Sequence, residues 1–183
     1  MPCSQLISGL GTDCNGSFGG IREVLLANRE DLADVLVYDG AVYWIDMVNG
    51  TPFAHYTFRE GAASMSSTLQ KGQDYRFVDT ELTISFLRME TVKRTELQAF
   101  ISGEFVALVK DGNGRWWMLG VDDAVVATAG EGVTGTGATD RNGYSVTFRD
   151  RSKAFPMEVP DEVVASLSKD FNGDFNDDFT ILT

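Results

Sequence analysis

A chain of 183 residues with 43% hydrophobic and 23% charged side chains holds enough apolar material for one packed core and falls outside the composition of disordered chains. Its formal charge of −12, from 27 acidic against 15 basic side chains, repels phosphate backbones and anionic lipid, which argues against a tight nucleic-acid binder. No apolar run approaches the ~20 residues of a membrane helix.

Residues 1–18 are glycine-rich and polar and read as an irregular arm ahead of the regular structure. In Ile21 to Ala27 the spacing of Ile21, Val24 and Leu25 suits a helix, while the flanking Gly20 and the short apolar run suit a strand. The strand is the preferred reading, with a turn following at Arg29 to Ala33. Val35 to Tyr38 and Ala41 to Met47 flank Asp39-Gly40, a dipeptide that closes tight hairpins because glycine accepts positive φ. Ala54, Tyr56 and Phe58 alternate with polar neighbours, as do Leu82, Ile84 and Phe86, so both stretches are half-buried strands. Between them Gly61 to Gln73 is small, polar and serine-rich apart from Met65 and Leu69, and reads as a long loop or extended hairpin.

Thr91 to Ser102 is the clear helix, with Leu97, Phe100 and Ile101 as its apolar stripe, Thr91 as cap and Gly103 past its end. Phe105 to Val109 is apolar on both faces, hence central, and a turn at Asp111-Gly112-Asn113-Gly114 leads to a strand over Trp116 to Val121. Ala124 to Thr128 is a further strand, after which Gly130, Gly132, Gly135 and Gly137 predict a flexible loop. Asp140-Arg141-Asn142-Gly143 turns the chain into a last strand carrying Tyr144, Val146 and Phe148. Pro160 opens a short helix to Leu167, and an acidic segment ends the chain, giving residues 19–159 as one domain and 160–183 as its C-terminal extension. The fold class is mainly β, a sandwich or barrel of about eight or nine strands with one flanking helix and a long loop.

The chemistry-bearing residues are sparse. His55 is the only histidine and lies on the polar face of its strand, no Gly-x-Ser-x-Gly elbow occurs, and a zinc-peptidase helix needs two histidines. Gly130, Gly132 and Gly135 fit dinucleotide spacing, but a turn follows where a helix N-terminus is required. Asp170, Asn172, Asp174, Asn176 and Asp178 resemble the start of a calcium loop, yet Phe175 and Ile181 stand where that loop needs glycine and a bidentate glutamate. That segment reads better as an acidic tail whose Phe171, Phe175 and Phe179 dock on the body or on a neighbour. Cys3 and Cys14 are expected as reduced thiols, a disulfide clip being the alternative, and no charged and apolar leader precedes them. Asn15-Gly16-Ser17 and Asn49-Gly50-Thr51 are read as turns rather than glycan acceptors. Trp44, Trp116, Trp117 and Tyr144 would suit a sugar-stacking platform, although adjacent Trp116 and Trp117 must face opposite ways. No catalytic residue, metal or cofactor is assigned, and a non-enzymatic protein is expected.

Three stretches carry a resemblance to a known family: Gly19-Gly20-Ile21 opening the first strand, the helix followed by Phe105 to Gly120, and the glycine-rich loop leading to Asp140-Arg141-Asn142-Gly143-Tyr144. Over residues 19–159 this layout resembles the tail tube, or major tail, proteins of long-tailed bacteriophages. The resemblance implies a virion structural protein, assembled in the host cytoplasm, whose hexameric rings stack into a tube that passes DNA without binding it specifically. A carbohydrate-binding module or a head-tail connector is the alternative. Its partners would be copies of itself and other tail proteins, with Met65, Ser66, Ser67, Thr68, Leu69, Gln70, Phe171, Phe175 and Phe179 as interface residues. Deleting Gly61 to Gln73 is then expected to leave a folded subunit that does not polymerise.

Overall fold

The computed structural model describes residues 17–73, 75–137 and 139–169. The fold is mainly β, with eleven strands in one hydrogen-bonded sheet and two α-helices. In chain order the strands are β1 (Ile21–Asn28), β2 (Leu32–Tyr38), β3 (Ala41–Met47), β4 (Ala54–Thr57), β5 (Ala63–Lys71) and β6 (Arg76–Leu87). Helix α1 (Thr91–Ser102) follows, then β7 (Glu104–Asp111), β8 (Trp116–Leu119), β9 (Val125–Val133), β10 (Gly143–Ser152), β11 (Met157–Val159) and α2 (Asp161–Lys169).

The sheet is organised by β1 and β7, whose apolar residues run on without alternation and are therefore buried on both faces. They pair antiparallel from Ile21 opposite Asp111 to Asn28 opposite Phe105. Val24 and Leu26 of β1, with Phe105, Ala107 and Val109 of β7, face a first core. Leu25 and Ala27, with Val106 and Leu108, face a second. The pair is thus a wall between two hydrophobic compartments.

At β7 the sheet branches. Its edge away from β1 bonds β9 at Glu104 and Phe105, then β8 from Ala107 to Lys110. The β9 branch continues through β10 and β6 to β5 and, with α1, closes the first core. Phe100 of α1 meets Phe105 and Phe148 edge to face, with centroids 5.8 and 5.2 Å apart, the geometry that ring quadrupoles favour. The β8 branch continues through β11 and β3 to β2 and, with Val164 of α2, closes the second core. Strand β4 lies outside both branches and pairs β1 alone.

Local chemistry fixes the turns. Asp39 and Gly40 both adopt positive φ, 51° and 80°, as a two-residue hairpin between β2 and β3 requires. The turn from β7 to β8 is organised by Asp111, whose carboxylate accepts the Asn113 and Arg115 backbone N–H groups and the Trp117 indole N–H at 2.8–3.1 Å. Asn49 and Gly50, read from the sequence as a turn, do form one, both at positive φ. Gly120 ends β8 at φ 88°, where a Cβ would stand 2.9 Å from the Phe105 carbonyl oxygen. A side chain there would hold β7 and β8 apart.

Several expectations are corrected. Of the two readings for Gly61 to Gln73, the loop is corrected and the extended hairpin stands: β5 pairs β6 continuously from Ala63 opposite Ile84 to Lys71 opposite Arg76. Its alternation is present but written in small residues, with Ala63, Met65 and Ser67 more buried than Ser64, Ser66 and Thr68. Gly130 and Gly132 lie inside β9, held by β10, rather than in a flexible loop. Strand β11 pairs only three residues with β8 and one with β3, too short to leave a periodic signature. The helix begins after Glu90, with no side-chain cap, so Thr91 is its first residue and not its cap. Ile101, placed on the apolar stripe, is 71% exposed.

The wall predicts its own sensitivity. Leu108→Ala in β7 should cost about 2–5 kcal/mol by leaving a cavity in the second core, whereas Ile101→Ala should change stability by less than about 0.5 kcal/mol. Urea unfolding of the two variants measures both.

Candidate functional site

Among the described residues three strands have a neighbour on one side only: β2 and β5 at the two ends of the strand order, and the four-residue β4, which pairs β1 alone. Such edges are templates for pairing with another chain. At the first, Leu32, Val35, Val42, Ile45 and Met47 of the β2–β3 hairpin turn toward the second core. Exposed on the same hairpin are Leu36, Tyr38, Tyr43 and Trp44, at 46–77%, beside the facing pair Asp34 and Asp46. Leu36 sits directly opposite Trp44, so the two share one face. A contiguous patch of this kind marks an interaction surface more often than scattered single residues do.

At the second edge lie six of the residues singled out from the sequence, Met65 to Gln70. Met65 packs on the first core opposite Leu82, and Ser67 shares a 2.8 Å hydrogen bond with the Thr80 hydroxyl across the pair. Ser66, Thr68 and Gln70 are exposed, and Leu69 is 57% exposed. Because Ala63 is buried in the first core, deleting residues 61–73 removes a strand of the body, and that deletion no longer separates assembly from folding. Phe171, Phe175 and Phe179, the acidic repeat from Asp170 to Asp178, and Cys3 and Cys14 lie outside the described residues.

The titratable groups form structural pairs. Glu23 of β1 accepts hydrogen bonds from Lys110 at 2.8 Å and from His55 at 2.9 Å. Partial burial raises the Glu23 carboxyl, but these two partners outweigh it and hold the group below its ordinary range. His55 is thus a hydrogen-bonded strand residue. Arg149 of β10 clamps Asp79 of β6 through two hydrogen bonds and holds that carboxyl down. Trp116 is buried in the second core at 5% exposure, so the four-residue aromatic platform does not assemble. Among the described residues the element that follows Gly135 is strand β10, where a dinucleotide site needs a helix N-terminus. Among the described residues no group of three or more histidine, cysteine, aspartate or glutamate side chains is placed to hold a metal.

Asp150 of β10 stands apart. It is 2% exposed, accepts the Gly120 N–H, and has no protein hydrogen-bond partner at Oδ1. Burial, reinforced by the charges of Asp122, Asp123 and Asp79, pushes its carboxyl up to about 6. No protein-family model, curated protein or solved structure matches this chain.

What sequence reasoning missed was the β2–β3 patch. The signal was available, since apolar residues at 35, 36, 37 and 38 and at 42, 43, 44 and 45 cannot all face inward from an alternating hairpin.

Asp150 yields a pH prediction. A buried acid whose folded pKa lies above its unfolded value stabilises the fold at low pH, and that contribution is lost as pH rises through about 4 to 6. Above pH 6 the buried charge is a standing cost. Asp150→Asn should therefore raise Tm by on the order of a few degrees at pH 7.5, and the gain should vanish near pH 4. Thermal melts of both proteins across that interval decide it.

Proposed function

We propose that this chain is a non-enzymatic structural subunit of the bacteriophage tail-tube kind, which assembles edge to edge into rings, hexameric in the family it resembles, that stack into a conduit for DNA. The observation that carries the reading is the pair of open edges at opposite ends of the strand order, β2 with its exposed apolar residues and β5 beyond it. Two different edges favour a head-to-tail contact, and a head-to-tail contact repeated around an axis closes a ring. Edge pairing satisfies the backbone groups that would otherwise invite disordered aggregation.

The charge supports the same reading. A net −12 sets up a field that disfavours adsorption of DNA, which suits a channel wall that a polyanion must pass. In this reading the protein resides in the virion tail, its partners are copies of itself and neighbouring tail proteins, and it contacts passing DNA without sequence recognition. Among the described residues no helix is long and apolar enough to cross a membrane.

Negative-stain microscopy and light scattering over a concentration series test the proposal. Wild type should form rings or short tubes with a central hole. Leu36→Glu on β2 and Leu69→Glu on β5 place a charge at exposed positions and should each give folded monomers at concentrations where wild type assembles. Assembly by both variants at wild-type concentrations would rule out edge pairing, and strictly monomeric wild type would rule out the subunit role.

A further inference from the structure

A groove of about 420 Å³ runs between α1 and the β9–β10 pair, within the ~300–1,000 Å³ usual for small-molecule sites. Its floor is low because two residues of β9 carry no side chain. A Cβ on Gly130 would meet only the Ser145 carbonyl oxygen at 3.5 Å and Val146 Cγ2 at 3.9 Å, ordinary contacts, so the depth there is open space rather than crowding. At Gly132 the Tyr144 ring stands 3.0–3.1 Å from the corresponding position and forms one end of the floor. Leu97 and Ile101 of α1 form the facing wall, and Ile101 is 71% exposed there although it belongs to the apolar side of its helix.

Charge at the rim is unbalanced. Glu131 is held by Arg141 at 3.4 Å and by the Ser145 hydroxyl at 3.3 Å, which compensates it. Arg94, on the helix side, makes no side-chain hydrogen bond or ion pair with any described residue and lines the same groove. An apolar trough with one uncompensated guanidinium is complementary to a molecule with an apolar body and a single anionic head, held by the local charge against the net −12 of the chain. Its size fits one small molecule; a second copy of the chain would need roughly 800 Å² of contact per partner.

We propose that this groove binds a small anionic amphiphile such as a medium-chain fatty acid, its apolar body over Gly130 and Gly132 and its carboxylate at Arg94. The test uses the fluorescent sulfonate 1-anilinonaphthalene-8-sulfonate as probe, with decanoate and decanol as competitors. Wild type should show one saturable site from which decanoate displaces the probe. Gly130→Leu, which fills the floor, should weaken probe binding at least about fivefold, the loss of roughly 1 kcal/mol of apolar contact. Ile101→Asp changes an exposed wall residue and should weaken it as well, and circular dichroism confirms that both variants are folded. Arg94→Gln should weaken decanoate about two- to fivefold, the range of an exposed ion pair, while leaving decanol unchanged. Equal probe binding by wild type and both groove variants would overturn the proposal, as would equal losses for decanoate and decanol in Arg94→Gln. Loss of the probe site as protein concentration rises, without competition by decanoate, would assign the groove to a second copy and overturn it too.

Discussion

Everything in this molecule hangs on the antiparallel pairing of β1 with β7. Two strands without a polar face cannot border solvent, so each side of the pair must be covered, and the chain covers it twice over. The β9 to β5 branch and α1 close one side; the β8 to β2 branch and α2 close the other. A β1 residue therefore reports on one compartment or the other according to its parity, Val24 and Leu26 on the first, Leu25 and Ala27 on the second. With nonpolar burial worth about 25 cal/mol per Å², this doubled use of two short strands lets one chain of modest size support two cores.

The branching also accounts for where the open edges fall. Each branch ends in a strand with a neighbour on only one side, and the two ends differ in character. The β2 edge exposes large apolar and aromatic side chains, whereas the β5 edge exposes serine, threonine and glutamine around one leucine. A surface with two unlike edges is suited to a repeated contact between unlike faces, and poorly suited to a twofold dimer, in which the same patch must meet itself. The groove beside α1 is lined in part by Phe100 and Val146 of the first core and includes neither edge.

Much of the fold was legible in the sequence. The run at Phe105 to Val109, apolar on both faces, marked β7 as central, Asp39-Gly40 and the Asp111 to Gly114 turn marked two hairpins, and the helix at Thr91 to Ser102 was bounded correctly, whereas the pairing of β7 with β1 was not readable. What else stayed hidden had a common cause: where a strand is built from small or polar residues, hydrophobic periodicity has nothing to register. Strand β5 is held by its backbone ladder to β6, and β9 keeps its course through Gly130 and Gly132 because β10 lies alongside. Met65 to Gln70, expected as interface residues in a long loop or extended hairpin, form the outer arm of the β5–β6 hairpin; of the β2–β3 patch only Trp44 was singled out, as part of a sugar-stacking platform. Asp150 was invisible for another reason: nothing in one aspartate among 27 acidic residues says which will be buried.

The register of the wall also sets the order in which the chain can fold. Strand β1 precedes its long partner in the chain by everything from β2 to α1. Until Phe105 to Asp111 is synthesised, an apolar strand finds only the four residues of β4 to pair with and leaves its other edge bare. Non-local pairings of this kind are slow to form and expose sticky intermediates meanwhile. The two cores can therefore close only after β7 has been made, since the wall that separates them needs both of its strands.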